Sequence, residues 1–323
     1  WQCLRLSRDG EPRAFALKVH NEEASAAKRE ASALQALSAT PAGAPIFPHL
    51  LGTVRIHDRI GLALSLHGPD LYTLQKQRDR KPFPPAFTWS VAAQLLSALQ
   101  ALDQTGLVHA DIKPQNILLR DVDCVLLDGS TCVTLIDLGS CLSRDQLNRK
   151  VQRITYVQSR WYRAPEVILW APITCSADVW SVGCVIAEVA LGVPLLPGES
   201  EYNQLRRVEA MLSAPPVSLL SRSRRAHDFF DGQRVLRTER AASEPELVQY
   251  LPYNQLAPLV GHVLSDMPSS QNRALLILLD GLLRWDPEHR WSGSQAHAEL
   301  NQLMQAMSTA ESGRTAHETR PRC

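Results

Sequence analysis

One short stretch of the chain carries several polar side chains at fixed spacing. The run His109-Ala110-Asp111-Ile112-Lys113-Pro114-Gln115-Asn116 precedes an apolar segment, and a second apolar segment leads directly into Asp137-Leu138-Gly139. These residue types meet the needs of phosphoryl transfer. Asp111 can orient a hydroxyl group and accept its proton, Lys113 can approach the moving phosphate, and Asn116 and Asp137 can supply oxygen ligands to Mg²⁺. A His-x-Asp alone would more often be a structural turn, so the prediction depends on the whole arrangement.

Apolar periodicity predicts the elements that bring these residues together. An Asp-Gly between two apolar runs favours a hairpin, and Gly106 and Gly192 are typical helix stops. The predicted elements are strands at residues 1–6 and 13–19, a helix at 24–37, a strand pair within 53–66, a helix at 88–105 with Thr88 as its N-cap, and a helix capped by Ser176 and ended by Gly192.

The composition is that of an ordinary globular protein. The 323 residues are 45% apolar and 21% charged, with a formal net charge of +1. This balance gives no reason to expect nucleic acid or a membrane as the main partner. The longest apolar window, at residues 182–196, is interrupted by Glu188, Gly192 and Pro194, and the first residues lack the basic-then-apolar layout of a signal peptide.

The cysteines point to a reducing environment. The seven cysteines are scattered, odd in number and without a C-x-x-C spacing, so neither a disulfide framework nor a zinc site is indicated. We therefore expect an intracellular protein, located in the cytoplasm, the nucleus or both.

The polar stretch and the segment after it resemble the catalytic, metal-binding and activation segments of eukaryotic protein kinases. Ser159-Arg160-Trp161-Tyr162-Arg163 followed by Ala164-Pro165-Glu166 looks like the CMGC group of kinases. Thr155-Tyr156-x-Gln158-Ser159-Arg160, together with His-Ala-Asp at 109–111, is most similar to the homeodomain-interacting protein kinases within the dual-specificity tyrosine-regulated (DYRK) family. The resemblance covers roughly residues 1–303 and is strongest over 109–204.

This resemblance implies an α+β, bilobal protein kinase fold. It places a kinase domain at residues 1–307, with a small β-rich N-lobe at 1–66 and a larger helical C-lobe at 67–307. Residues 308–323 are polar and without periodicity, so we expect a disordered tail there. Kinases carry a glycine-rich loop ahead of the strand at 13–19, and no such stretch lies upstream of it here. The chain is then either a fragment cut inside its N-lobe, which we favour, or a divergent kinase.

The resemblance also implies a nucleotide site. Lys18, in Phe15-Ala16-Leu17-Lys18, would hold the α- and β-phosphates of ATP, and Glu30 on the first helix would pair with it. Glu22 and Glu23 are the rivals of Glu30, but they precede the helix. The remaining implied contacts are Ala16 above and Leu118 below the adenine, Leu64 behind it, Leu66 and His67 in the hinge, and Asp70 facing the ribose.

Further residues take roles by the same resemblance. Ser159 would bond Asp111 and Lys113, and Tyr156 would be self-phosphorylated, with Arg160 and Arg163 holding its phosphate; an unmodified, packed Tyr156 is the alternative. Ala110 stands where many kinases have arginine. An arginine there would be a buried cation that needs an activation-loop phosphate to compensate it, and alanine removes that need. Two structural roles are implied: Glu166 pairs with Arg290, and Asp178 steadies the catalytic loop.

The sequence thus predicts an ATP- and Mg²⁺-dependent serine/threonine protein kinase with tyrosine autophosphorylation. Asp111, Lys113 and Ser159 would be catalytic, and Asn116 and Asp137 would hold the metal ion. The expected partners are protein substrates and ATP, with no nucleic acid and no membrane, and the expected state is a monomer. A pseudokinase scaffold that keeps the fold as a binding module, and a small-molecule phosphotransferase of similar fold, are the alternatives.

Overall fold

A computed structural model of the chain describes residues 2–6, 12–20, 24–120, 131–149, 157–237, 255–263 and 268–318. Within those ranges, no helix is both long and apolar enough to cross a membrane. The described ranges begin with a sheet-rich part and continue as a mainly helical part. The predicted α+β class is therefore confirmed.

The first part of the chain is built on an antiparallel sheet. Its strands are β1 (Gln2–Leu6), β2 (Pro12–Val19), β3 (Leu50–Ile56) and β4 (Arg59–Ser65), in the order β1-β2-β4-β3. Lys18 on β2 pairs with Leu62 on β4, and Ala16 pairs with Leu64. The central strands therefore carry three of the residues that the sequence predicts to surround a nucleotide.

Helix α1 (Ala24–Ser38) packs against β4. Ala27, Leu34 and Leu37 are buried, as their helical spacing predicts. Glu30 is only 1% exposed among them. A buried carboxylate is costly without a partner, so this position calls for a compensating positive charge.

Helices dominate the remaining residues that the structure describes. They are α2 (Leu71–Gln77), α3 (Pro85–Thr105), α4 (Arg144–Arg149), α5 (Pro165–Ile168), α6 (Ser176–Leu191), α7 (Glu201–Leu212), α8 (Val217–Ser221), α9 (Ala226–Phe229), α10 (Leu256–Val263), α11 (Ser269–Leu282) and α12 (Gly293–Glu318). Two short antiparallel pairs lie among them: β5 (Leu107–Val108) with β8 (Leu142–Ser143), and β6 (Ile117–Leu119) with β7 (Val133–Leu135).

The helical core is centred on α6. Every residue from Ala177 to Leu191 is buried, as expected for a helix that is apolar around most of its circumference. Helix α3 packs on α6 and α12, and α11 also packs on both of these helices. Gly192 ends α6 with φ 79°, a left-handed conformation that glycine adopts without steric cost.

The predicted N-cap of α3 is wrong. The helix begins at Pro85, with Pro84 in the N-cap position, and Thr88 lies within the first turn. There the Thr88 hydroxyl donates to the carbonyl oxygen of Pro84 at 3.2 Å. Proline suits the first helical position because it has no N–H to leave unpaired.

The predicted cap of α6 is also wrong, because Ser176 is the first helical residue and Cys175 occupies the N-cap, where its side chain does not cap the helix. At the other end of the chain, α12 continues to Glu318. The structure is thus helical over residues 308–318, where the sequence predicts disorder, since no proline interrupts the helix that begins at Gly293. Residues 319–323 lie outside the described part.

A buried ion pair ties α5 to the loop before α12. Arg290 donates to both carboxylate oxygens of Glu166, at 2.7 and 2.9 Å, and both side chains are fully buried. The Arg290 guanidinium also donates to the carbonyl oxygens of Ser176 and Arg284. The pairing that the resemblance implies is present, and every donor direction of the fork has an acceptor nearby.

We predict that Glu166→Gln lowers the free energy of unfolding by about 3–5 kcal/mol, because it leaves the Arg290 charge buried without a counterion. Denaturant unfolding followed by circular dichroism measures this. The control is Asp280→Asn, which breaks the exposed pair with Arg284 (3.1 Å) and should cost less than about 1 kcal/mol. Equal losses in the two variants would contradict the assignment.

Candidate active site

The backbone of the loop after β5 is held by a buried carboxylate on α6. Asp178 on α6 accepts hydrogen bonds from the backbone N–H groups of His109, at 2.5 Å, and Ala110, at 3.0 Å. Ala110 has φ 64°, a left-handed conformation that the paired backbone stabilises. Burial raises the pKa of Asp178 to about 7, against the opposing effect of these two hydrogen bonds. The steadying role predicted for Asp178 matches its contacts.

The imidazole of His109 also fixes this loop, through hydrogen bonds to backbone groups. Its Nε2 lies 3.0 Å from the carbonyl oxygen of Ile136, and its Nδ1 accepts from the N–H of Asp111 at 3.2 Å. These partners assign the proton to Nε2. Burial lowers the pKa of His109, so the ring stays neutral. His109 therefore joins the loop before Asp137 to the loop that carries Asp111.

Asp111, Lys113 and Ser159 form a closed set of hydrogen bonds. The Lys113 ammonium donates to Asp111 Oδ2 at 2.7 Å and to Ser159 Oγ at 3.1 Å, and the Ser159 hydroxyl donates to Asp111 Oδ1 at 2.8 Å. Asn116 Nδ2 donates to the carbonyl oxygen of Asp111 at 2.8 Å. The carboxylate of Asp111 is thus held in one orientation, as a group that positions a hydroxyl must be.

A second cluster joins three separate elements. Lys18 Nζ on β2 lies 2.7 Å from Glu30 Oε1 on α1 and 2.5 Å from Asp137 Oδ1 after β7. The Glu30 side chain is 2% exposed, whereas those of Lys18 and Asp137 are 33% and 43% exposed. The two rivals of Glu30, Glu22 and Glu23, lie outside the described residues. The lysine therefore bridges the sheet, the helix and the Asp-Leu-Gly turn.

Charge pairing shifts the pKa values in this cluster. Burial alone lowers the pKa of Lys18, but the Glu30 carboxylate and the bond to Asp137 raise it by more, so the net pKa is raised. Burial raises the pKa of Asp137, but the hydrogen bond and charge of Lys18 lower it by more. Lys18 and Asp137 are consequently both charged at neutral pH.

A cavity of about 420 Å³ lies between the sheet, the loop that carries Asn116 and the loop that carries Asp137. Its lining combines apolar and polar side chains, which suits a flat ring system joined to a charged group. Its apolar lining includes Ala16, Val19, Leu64, Leu66, Leu118 and Ile136, and its polar lining includes Lys18, Glu30, His67, Asn116 and Asp137.

The polar side chains of this cavity could hold a divalent cation together with phosphate. Asn116 uses its amide nitrogen on Asp111, and its amide oxygen has no hydrogen bond from a described residue. Asp137 adds a carboxylate on the facing turn. No group of three or more His, Cys, Asp or Glu residues is clustered among the described residues. Mg²⁺ is commonly bound by one or two protein oxygens plus phosphate and water, so this donor set fits.

Asp70 does not line the cavity. Its carboxylate caps α2 instead, accepting from Thr73 N and from Thr73 Oγ1, both at 2.8 Å. The ribose contact expected of Asp70 therefore competes with a helix cap. His67 does line the cavity, and its ring is fixed by Ser65 Oγ at 2.8 Å and the carbonyl oxygen of Arg120 at 3.2 Å.

A second cavity of about 520 Å³ opens beside the Asp111 set. It is lined by Lys113, Gln115, Asn116, Ser159, Arg160, Trp161 and Tyr162. Arg160 is exposed and donates to the carbonyl oxygen of Glu199. Arg163 is buried, donates to the carbonyl oxygens of Val157 and Gln158, and lies 3.4 Å from Glu201. Tyr156 lies outside the described residues, so its role stays a prediction.

Sequence reasoning did not assign Gln158, which links the activation segment to the catalytic loop. Its N–H donates to the carbonyl oxygen of Ala110 at 2.9 Å, and its amide bonds Ser181 Oγ, Ala177 O and Ala164 N. A buried glutamine with φ 66° must satisfy its amide internally. In the sequence Gln158 is only a polar residue directly before Ser159, and no periodic apolar pattern around it indicates that its side chain is buried.

His109 and His20 were also missed. His109 was quoted only as part of a motif. His20 was not considered; it directly follows β2, two residues after Lys18, and its N–H continues the pairing with β4.

A model of the protein kinase domain matches residues 3–304. The chain belongs to the protein kinase family. Kinase domains bind ATP and typically a divalent cation, for which the 420 Å³ cavity provides both apolar and polar side chains. The predicted kinase resemblance is thereby confirmed.

Similarity to individual kinases narrows the family. The chain is 39% identical over 185 residues to serine/threonine-protein kinase ppk15 of Schizosaccharomyces pombe, covering 55% of this chain and 32% of that protein. It is 42% identical over 169 residues to homeodomain-interacting protein kinase 1 of Caenorhabditis elegans, covering 52% and 19%. It is 31% identical over 258 residues to dual specificity tyrosine-phosphorylation-regulated kinase 2 of Drosophila melanogaster, covering 79% and 32%. The chain thus spans a third or less of these relatives.

We predict that Asp178→Asn lowers the free energy of unfolding by about 1–3 kcal/mol, because its amide nitrogen would face a backbone N–H donor. The amide protons of His109 and Ala110 should also exchange faster, which hydrogen exchange by mass spectrometry detects. Asp231→Asn is the control, since exposed Asp231 accepts from the N–H groups of Gln233 and Val235 through a single oxygen, Oδ1, that asparagine retains. Unchanged exchange in Asp178→Asn would count against this role.

Proposed function

We propose that the chain transfers the terminal phosphoryl group of ATP to serine or threonine hydroxyls of protein substrates. The observation that supports this most strongly is the closed set of Asp111, Lys113 and Ser159 beside a cavity that ends at Lys18, Asn116 and Asp137. An acceptor hydroxyl at this position would have a carboxylate next to it and phosphate-binding groups within the same cleft.

Each of these residues has a task in the transfer. Asp111 orients the hydroxyl group and receives its proton as the oxygen attacks the γ-phosphorus and the bond to the bridging oxygen breaks. Lys113 offsets charge on the transferred group, and Ser159 keeps both side chains in place. Lys18, fixed by Glu30, positions the α- and β-phosphates.

Asn116 and Asp137 would hold Mg²⁺, which would neutralise phosphate charge when bound. The assignment of Mg²⁺ rather than another divalent ion is part of the proposal. It rests on the all-oxygen donor set, because nitrogen and sulfur ligands would favour transition metals. Asp137 is already ionised at neutral pH through Lys18, so it needs no deprotonation to bind a cation.

The hydroxyl type is proposed from the Asp111-x-Lys113 loop, which has the serine/threonine form. Tyrosine phosphorylation is proposed only as self-modification at Tyr156. Two points support it: Tyr156 stands in the sequence four residues before Arg160, within the predicted activation loop, and relatives are named as dual specificity tyrosine-phosphorylation-regulated kinases. Mass spectrometry of the purified chain, before and after incubation with ATP, tests this directly.

The finer features of the protein are proposals as well. We propose a kinase domain at residues 1–307 with the lobe boundary near residue 66, supported by the end of β4 at Ser65. We also propose a monomeric, intracellular protein in the cytoplasm or nucleus. The free thiols of Cys141, Cys175 and Cys184 support the intracellular location.

The two alternatives lack a supporting observation. A scaffold that only binds partners has no physical need for a catalytic carboxylate held by three donors. A small-molecule phosphotransferase has no need for the second cavity, which is lined by Arg160 and Trp161 and could receive an extended peptide beside Asp111.

We predict that Asp111→Asn lowers transfer of radiolabelled phosphate to a Ser/Thr peptide by about 10²–10⁴-fold, because the proton acceptor is lost. Nucleotide binding should remain, seen as an unchanged thermal shift with ATP and Mg²⁺. Asp137→Asn should abolish both transfer and the Mg²⁺-dependent part of the shift. The exposed Asp58→Asn is the control and should match the wild-type chain.

The same assay separates the alternatives. Binding of ATP by the wild-type chain without transfer to any peptide would support the scaffold. Transfer to a small alcohol such as choline, but not to peptide, would support the small-molecule enzyme. Undiminished transfer by Asp111→Asn would overturn the proposed mechanism.

A further inference from the structure

Glu30 has a second oxygen that Lys18 does not use. Oε1 lies 2.7 Å from the Lys18 ammonium, whereas Oε2 lies 3.1 Å from Nε2 of His20. Neither Oε2 nor His20 Nε2 has a hydrogen bond to any described residue, so their 3.1 Å approach is a close contact without hydrogen-bond geometry. Since the Glu30 side chain is 2% exposed and that of His20 is 10% exposed, water has little access to either atom.

The sheet places His20 for this contact. Residues two apart on a strand project to the same face, so Lys18 and His20 both point from β2 towards α1. The backbone N–H of His20 donates to the carbonyl oxygen of Ile60 at 3.1 Å, which extends the pairing of β2 with β4 beyond Val19. The imidazole is therefore held at a fixed distance from the helix.

The Glu30 carboxylate also lies close to Gly139. A Cβ atom built on Gly139 would lie 3.6 Å from Glu30 Oε2 and 3.5 Å from Lys18 Nζ. The imidazole and the Asp-Leu-Gly turn therefore both lie next to this carboxylate. Rotation of this group would take Oε1 away from the Lys18 ammonium.

We propose that His20 is a positioning residue for nucleotide binding: a proton on its Nε2, 3.1 Å from Glu30 Oε2, attracts that oxygen and so keeps Oε1 aimed at Lys18. This inference rests on the proposed function of Lys18 as the phosphate-binding lysine. His20 touches neither substrate nor metal ion, and it acts through Glu30 alone. When it is absent, Glu30 is free to turn, and Lys18 keeps only Asp137, the residue that must also serve the metal ion.

The test compares three substitutions at this position. His20→Gln keeps an N–H donor close to the position of Nε2, His20→Leu fills similar space without a donor, and His20→Asn is polar but too short to reach Glu30. His49→Leu is the matched control, since His49 is exposed just before β3. Kinetic assays with a Ser/Thr peptide measure kcat and the KM for ATP. Calorimetry measures the dissociation constant of the protein for the Mg²⁺ complex of a non-hydrolysable ATP analogue.

We expect His20→Leu and His20→Asn to raise both KM for ATP and the dissociation constant about tenfold with little change in kcat. His20→Gln and His49→Leu should stay within about twofold of the wild-type chain. A merely structural role would instead reduce the active fraction, lowering kcat while KM stays constant. Thermal melts show whether each variant is folded.

Three results would overturn the proposal: wild-type nucleotide affinity in His20→Leu, equal impairment of His20→Gln and His20→Leu, or a loss confined to kcat. Failure of the proposed function has a different signature, because the wild-type chain itself would then transfer no phosphate. The calorimetric comparison of the variants would still decide the role of His20 in that case.

Discussion

Among the residues that the structure describes, Lys18 is the one cation that the sheet, α1 and the Asp-Leu-Gly turn share. Its bonds to Glu30 and Asp137 compensate two carboxylates at once, and a carboxylate as deeply buried as that of Glu30 is costly without such a partner. Because the three residues come from distant parts of the chain, their meeting requires β2 in register with β4, α1 packed on β4, and β7 leading into Asp137. The geometry of the phosphate end of the cavity follows from this single arrangement.

The catalytic side of the cleft is organised by buried polar groups of a different kind. Asp178, His109 and Gln158 bond the loop backbone around Ala110 and Asp111, and each bond replaces one that the loop would otherwise make to water. Such networks are costly when half satisfied and rigid when complete. Ala110 fits this network as a small side chain in a left-handed backbone, where an arginine would bring a cation into an apolar cluster with Val108 and Leu147.

Local patterns in the sequence were enough to predict the elements and the site residues that lie in contiguous motifs. Asp111, Lys113 and Asn116 are close because their spacing within one loop makes them so. The apolar stripe predicted α1, whereas the choice of Glu30 as the partner of Lys18 came from the kinase resemblance. Tertiary contacts decided the helix ends and the partners of the other polar residues. Thr88 and Ser176 look like caps, but Pro85 and the buried start of α6 set the helix ends, and Asp70 is taken by α2. Gln158 and His20 act through partners many residues away or on another element, which spacing alone does not reveal.

A crystal structure of the chain with Mg²⁺ and a non-hydrolysable ATP analogue tests the convergence of these residues most directly. The account predicts the nucleotide in the 420 Å³ cavity, with Lys18 still paired to Glu30 and contacting phosphate, and with a metal ion at Asn116 and Asp137, beside Asp111. The account would be contradicted by Lys18, Asp111, Asn116 and Asp137 lying far apart, or by a cavity filled with the protein's own side chains.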